Sequence, residues 1–210
     1  LLKKVEEVEE KIEHLIEVRQ KVPEGLGHAV LMAERAVENE PFAVVLGDDL
    51  VDAEIPCLKQ MINVYKDLSN KTKNHNVIAV EEVSKEDVSK YGIIEGERIE
   101  NNLIKIKRVV EKPSPEEAPS NLAIIGRYIF DPVIFEFLKK IPKLHGEYQL
   151  TDAIQLMIEN GYEVYAYLFK GTRFDTGNKE GFFKTVLHYA IKNPSLKEVL
   201  IRFVNERKIC

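Results

Sequence analysis

Apolar residues along this chain recur with two periods, and the alternation between them predicts an α/β fold. Leu1, Val5, Val8 and Ile12 sit at helical spacing and predict a helix over residues 1 to about 13. His14 to Arg19 reads as a short strand ending at Gln20. A turn follows, Pro23-Glu24-Gly25-Leu26-Gly27-His28, and then a helix from about His28 to Glu38. Phe42 to Leu46 is unbroken apolar sequence between Pro41 and Gly47, the pattern of a strand buried on both faces of a parallel sheet. A helix over 55–68 and a strand over 76–81 come next.

The pattern then changes. Tyr91 to Glu95 and Leu103 to Glu111 alternate apolar with polar, which predicts a half-exposed antiparallel ribbon turning within 95–102. Residues 114–120 form a proline-studded loop, and 121–130 is apolar and β-like. Asp131-Pro132 opens a helix with aspartate as the N-cap. A helix from Gln149 to Glu159 closes at Gly161, and Tyr162 to Phe169 is a strand. Residues 170–177 read as a polar loop, and the remainder as helix broken at Asn193-Pro194. The amphipathic tail from Ser195 is expected to cover the core rather than to serve assembly. Strands separated by helices indicate βαβ units, so the reading is one α/β domain over 1–210 with an antiparallel insertion.

Composition narrows the class only a little. At 210 residues, 44% hydrophobic and 31% charged, the chain is long enough for a full core. A net charge of −5 without a basic run argues against a general nucleic-acid binder. Cys57 and Cys210 lack metal-ligand spacing and read as free thiols of a reducing compartment. With no membrane-length apolar run and no secretory signal, the expected location is the cytoplasm. The chain opens at Leu1, without an initiator methionine or an N-cap, so an upstream portion is expected.

Candidate chemistry lies in the loops. Asp48 and Asp49 follow the apolar strand at its carboxyl end, where open α/β sheets place ligands. Their oxygens suit Mg²⁺, although a pair of turn-capping aspartates would look the same. The glycine turn could present amides to an anionic or nucleotide ligand, and many ordinary strand-to-helix turns share its pattern. Glu111 and Lys112 emerge together before Pro113: glutamate can accept sugar hydroxyls and lysine can meet phosphate, or the two form a surface ion pair. Asp175, in Arg173 to Lys179, is either a helix cap or a metal ligand. His28 is either a base or a hydrogen-bonded structural histidine. The sequence offers no nucleophile–histidine–acid triad.

Seven stretches, in order, resemble the bacterial UTP–glucose-1-phosphate uridylyltransferases, a branch of the sugar-1-phosphate nucleotidyltransferases. They are Arg19-Gln20 with Gly25-Leu26-Gly27-His28-Ala29-Val30, Leu46-Gly47-Asp48-Asp49-Leu50, Tyr91-Gly92-Ile93, Val110-Glu111-Lys112-Pro113, Ala118 to Tyr128, Gln149-Leu150-Thr151-Asp152-Ala153, and Phe174 to Lys179. The resemblance spans about Arg19 to Tyr189. It implies a Rossmann-like nucleotidyltransferase fold with a mostly parallel sheet. It also implies in-line, Mg²⁺-assisted attack of glucose 1-phosphate on UTP, giving UDP-glucose and pyrophosphate. Carried over by motif, Gln20 and Gly25 would contact uracil, with Gln20 supplying both donor and acceptor. Asp48 and Asp175 would hold Mg²⁺, with Asp49 the weaker metal candidate. Gly92 and Glu111 would touch the sugar, and Lys112 its phosphate. A homodimer or homotetramer is implied as well.

The family's opening glycine-rich loop with Thr-Arg, and the Pro-Lys-Glu segment after it, have no counterpart here. The 210-residue stretch alone is therefore expected to be inactive and poorly soluble. Two alternatives remain open: a non-catalytic sugar-nucleotide-binding or assembly module, and a nucleotidyltransferase for another sugar or base.

Overall fold

The structure, a computed structural model, describes residues 15–70, 72 and 75–207. The helix expected over 1–13 lies outside the described residues, as does Cys210. The strand expected over 14–19 is not formed in its described part. Residues 15–20 carry no ladder, and Leu15 and Ile16 face solvent. A strand requires a hydrogen-bonded neighbour, and none of the described strands lies beside this segment.

Helix α1 (Leu26–Met32) starts two residues before the expected His28 and is followed after Ala33 by the single turn α2 (Glu34–Val37). Then come β1 (Phe42–Val45), β2 (Asp49–Asp52), α3 (Cys57–Ser69) and β3 (His75–Glu82). A 3-10 turn over Lys85–Lys90 leads into β4 (Gly92–Glu100), β5 (Leu103–Glu111) and β6 (Leu122–Phe130). The chain continues through α4 (Ile134–Leu138), α5 (Leu150–Glu159), β7 (Glu163–Leu168) and β8 (Thr172–Asp175), and closes with α6 (Lys179–Lys192) and α7 (Pro194–Glu206).

Six strands form the main sheet, in the order β1-β6-β3-β7-β5-β4. β1, β3, β7 and β4 run one way, with β6 and β5 against them. The ladder between β3 and β7 is therefore parallel and the neighbouring ones antiparallel. The insertion is the β4–β5 hairpin, which turns at Asn101-Asn102, later than the broad turn read over 95–102. Residues 95–100 are all exposed and, Ile99 apart, carry no apolar side chain, yet five of the six pair with β5, so hydrophobic alternation could not show that the strand continues.

Alternate residues of the central strands feed two cores. On one face Ile78, Val80, Ile124, Phe130 and Ala166 pack with Leu138 of α4 and Ile154 and Met157 of α5. On the other, Val77, Ala79, Ile125 and Ile129 pack with Met61 of α3. The period-2 pattern thus places helices on both faces of the sheet. β1 departs from expectation. Among the described residues it pairs only with β6, at the sheet's edge. Phe42 and Val44 reach the first core, while Val45 is 51% exposed. An unbroken apolar run shows what a strand can bury, not which neighbours it receives.

One buried polar side chain cross-links two loops. The buried amide of Gln60 donates to Ile55 O and Lys170 O, each at 2.7 Å, and accepts from Lys170 N–H at 2.9 Å. It ties α3 to the loop entering β8, and its hydrogen-bonding capacity is well used. Asp131 accepts from Val133 N–H at 3.1 Å, but the helix opens at Ile134 with Val133 at its N-cap and no side-chain cap, so the aspartate closes a local turn instead of capping the helix as expected.

The tail does not cover the core. α7 has no buried residue, and Leu196, Val199, Ile201 and Phe203 are about half exposed. Its amphipathic pattern marked an apolar face without marking a partner. Asn193 caps the helix by accepting from the Ser195 and Leu196 N–H groups. Among the described residues, no helix is long and apolar enough to cross a membrane.

Candidate functional site

The strand and loop ends around β1, β2, β4, β5 and β8 enclose a cleft of about 370 Å³. Asp48, Gly92, Glu111, Lys112 and Asp175 all line it, although they come from four separate stretches of sequence.

The two carboxylates meet because β2 and β8 form a short antiparallel ribbon in which Asp49 opposes Asp175. Neither strand was expected, since Asp49–Asp52 and Thr172–Asp175 are four residues each with polar residues at both ends and read as turn or loop. Just before β2, the Asp48 carbonyl accepts from both N–H and Oγ1 of Thr176, each at 2.8 Å. A Cβ added at Gly177 would lie 3.1 Å from both Asp175 Oδ1 and Asp48 Oδ2, so the two carboxylates flank one open space. Asp175 is steadied by Gly177 N–H at 2.9 Å and Asn178 Nδ2 at 3.2 Å.

Asp49 is engaged elsewhere. It is buried, accepts from Gly126 N–H at 2.7 Å, and is ion-paired with Arg173. Arg173 also reaches Glu81 at 2.8 Å and lies over the Tyr91 ring at 4.9 Å. Burial works against the guanidinium's charge, but the hydrogen bond and charge of Asp49 more than offset it and hold its pKa above the ordinary arginine value. Arg127 donates to Leu46 O at 2.9 Å and to Asp49 O, fixing the loop that carries Asp48. Both arginines fall in stretches that the sequence reading quoted. Their roles were missed because the partners lie far away in sequence.

Across the cleft, Gly92 and Glu111 oppose each other in the β4–β5 ladder. Thr151 Oγ1 donates to Glu111 Oε2 at 2.9 Å. A Cβ at Gly92 would come within 2.7 Å of the Thr151 methyl and 3.3 Å of Glu111 Oε2, so glycine keeps this wall open. Burial, and then the charge of Glu111, raise the Asp152 carboxyl above its usual range. Lys112 has φ +44, a left-handed conformation uncommon for a side-chain-bearing residue. Its N–H donates to Tyr91 O at 3.0 Å, and its Nζ lies 3.7 Å from Glu111 Oε1 with the side chain mostly exposed.

Gln20 and Gly25 do not line this cleft. They adjoin it through Leu26 and Glu147, which do. Gly25 has φ +91, and a Cβ there would lie 2.8 Å from Glu147 Cβ, so both its torsion and its packing demand glycine. Gly27 N–H donates to Tyr148 O at 2.9 Å. That amide is therefore spent on packing rather than presented to an anion as the turn suggested. Gln20 Nε2 contacts both Gly25 O, at 3.2 Å, and His28 Nδ1, at 2.8 Å. Of the donor and acceptor expected from Gln20, the donor is occupied. His28 takes the hydrogen-bonded structural reading.

Two carboxylates facing an open cleft, Asp48 exposed and Asp175 half-buried, give a donor set that fits a divalent cation completed by ligand oxygens. Among the described residues, no group of three or more His, Cys, Asp or Glu could hold a metal.

A family model described as Nucleotidyl transferase matches residues 2–191. The UTP–glucose-1-phosphate uridylyltransferase of Staphylococcus haemolyticus is 48% identical over 190 residues, covering 90% of this chain and 64% of that protein. The enzyme of the same name from Staphylococcus epidermidis is 44% identical over 193 residues, covering 91% of this chain and 65% of its own length. A crystal structure of UDP-glucose pyrophosphorylase complexed with UDP-glucose superposes with a TM-score of 0.84 at 42% identity, covering 91% of this chain and 72% of that one. The chain thus spans slightly under two thirds of the length of these named relatives. With the family match running over nearly its whole length, the chain belongs to the nucleotidyl transferase family.

Proposed function

We propose that the protein carrying this chain transfers a uridylyl group from UTP to glucose 1-phosphate, giving UDP-glucose and pyrophosphate. The observation that carries this reading is the convergence of Asp48, Asp175, Gly92, Glu111 and Lys112 on one cleft. The names of the similar proteins supply the substrates.

In the proposed step a phosphate oxygen of glucose 1-phosphate bonds to the α-phosphorus of UTP, and the bond from that phosphorus to the pyrophosphate oxygen breaks. Such chemistry needs positioning and charge stabilisation more than a protein nucleophile. Glu111, its carboxylate oriented by the Thr151 hydroxyl, accepts hydrogen bonds from the sugar hydroxyls. Gly92 leaves room for the ring. The Lys112 ammonium meets the sugar phosphate, and the backbone of β5 aims it there. Asp48 and Asp175 would hold Mg²⁺, whose charge offsets that of the phosphates when it is bound.

The test uses the full-length protein and follows pyrophosphate release from UTP and glucose 1-phosphate. Asp48→Asn and Asp175→Asn should each reduce turnover by about a thousandfold or more while the circular dichroism spectrum is kept. Turnover retained in both variants would remove the metal assignment. Faster transfer from dTTP than from UTP would overturn the choice of base.

A further inference from the structure

We infer that Lys90 is a second phosphate-meeting residue of the cleft, parked on Asp87 and released to an anionic ligand. The inference rests on the uridylyl reading above and extends its phosphate site beyond Lys112. Among the described residues, the cations lining the cleft are Lys90, Lys112 and Arg173. Arg173 is buried and held by Asp49 and Glu81, so it is not available to a ligand. The two lysines are exposed and start from adjoining backbone. Lys112 N–H donates to Tyr91 O, and Lys90 is the residue before Tyr91. Both therefore emerge at the rim of the Gly92–Glu111 wall. Lys90 also feels the charge of Glu180, in the first turn of α6, a few residues past Asp175. It thus stands at the seam between that wall and the Asp48–Asp175 side. A phosphate joining a sugar at Gly92 to a cation held by Asp48 and Asp175 would lie in that seam.

Lys90 Nζ donates to Asp87 Oδ1 at 2.5 Å, one step back on the 3-10 turn. That hydrogen bond, and then the charge of Asp87, hold the ammonium above the ordinary lysine range, so it is charged at neutral pH. The tie is nonetheless weak. The two side chains are 65% and 43% exposed, where solvent screens an ion pair and side-chain entropy opposes it. A phosphate offers more negative charge and more acceptor oxygens than one carboxylate, and can take the ammonium over. Asp87 keeps a partner when Lys90 leaves, since Ser84 Oγ donates to its other oxygen, Oδ2, at 2.9 Å. The turn therefore holds its shape without the lysine, whose flexible stem allows the swing. Glu180 is ion-paired with Lys184 at 2.6 Å and does not compete for Lys90.

The experiment titrates UDP-glucose and UMP calorimetrically into the full-length protein and into its Lys90→Met, Lys90→Arg and Asp87→Asn variants. UDP-glucose carries the sugar phosphate and UMP does not. The expected result is a UDP-glucose Kd about tenfold higher in Lys90→Met, the scale of one charge-assisted hydrogen bond, with the UMP Kd little changed. Lys90→Arg keeps a cation and should recover most of the affinity. Asp87→Asn releases the ammonium and should tighten UDP-glucose binding. A purely structural ion pair predicts another pattern, in which losing either partner weakens binding alike. An unchanged UDP-glucose Kd in Lys90→Met overturns the inference, as does an equal loss in Lys90→Met and Asp87→Asn. Both side chains lie at the surface, so neither substitution threatens the fold. A wild-type protein that releases no pyrophosphate from UTP and glucose 1-phosphate overturns the uridylyl reading, and the titration still decides on Lys90. A wild-type protein that binds no UDP-glucose overturns both.

Discussion

The guanidinium of Arg173 is ion-paired with the buried carboxylate of Asp49, the residue next in sequence to the exposed Asp48. Two adjacent aspartates therefore do different work. Asp49 locks the β2–β8 ribbon to Gly126 of β6, and Asp48 is left free to face the cleft. Arg173 extends the lock to Glu81 of β3 and to the Tyr91 ring beside Gly92, joining the Asp48–Asp175 side of the cleft to the Gly92–Glu111 side.

Arg173→Met tests this lock. Losing the guanidinium leaves Asp49 buried and unpaired, which costs about 3–5 kcal/mol. Urea unfolding should show a loss of unfolding free energy of that size. A change under about 1 kcal/mol would mean that the pair is no stronger than a surface ion pair.

Gly92→Ala should act on the sugar. The added methyl would lie 2.7 Å from the Thr151 methyl, and relief comes only by displacing Thr151, which holds Glu111. The KM for glucose 1-phosphate should rise about tenfold or more, one hydrogen bond's worth, with the KM for UTP little changed. Equal changes in both constants would show that the Gly92–Glu111 wall does not act on the sugar phosphate alone.

Much of this arrangement was legible in the sequence. Apolar runs marked β3 and β6 within a residue or two, and α3 and α5 fall within two residues of their expected bounds, α5 with Gly161 as its stop signal. What escaped is non-local. β2 and β8 are four residues each and gain their identity by pairing with each other across more than a hundred positions. β1 looked central because it is apolar, yet edge position depends on topology. The residues of the site were readable as motifs, but the division of labour between Asp48 and Asp49 depends on Arg173, whose partner no local pattern reveals. The Gln20–His28 contact was hidden in the same way, since the irregular segment between the two has no period from which a facing pair could be read.

Acid should weaken the fold partly through Glu163. The hydrogen bond from Lys105, then that from Thr72, bring its carboxyl down to about 2 despite some burial. The folded state thus binds fewer protons than the unfolded state, whose glutamate titrates near its ordinary value. This contribution is present above about pH 4.5 and is lost as the pH falls toward 2. With Lys105 partly exposed and solvent screening discounted, it amounts to about 1–2 kcal/mol. Glu163→Gln should flatten the stability profile between pH 5 and 2 by about that amount relative to neutral pH. Parallel profiles for the two proteins would show that other carboxylates carry the acid response.

Lys112 is where stability and chemistry should separate. Its φ of +44 costs about 1–2 kcal/mol in a residue with a Cβ, and the following Pro113 narrows its options further. A surface ion pair at 3.7 Å with Glu111 gives no adequate return for that strain. Lys112→Gly removes the strain, offset by the greater freedom of glycine in the unfolded chain, so net stability should rise by about 0.5–1 kcal/mol. Lys112→Ala keeps the strain and loses the ammonium, so its stability should stay near that of the parent. If the ammonium meets the sugar phosphate, both variants should lose about a hundredfold or more in pyrophosphate release. Paired denaturation and turnover measurements on the two variants check this. A glycine variant that is both active and more stable would show that the strained backbone serves neither phosphate binding nor the fold.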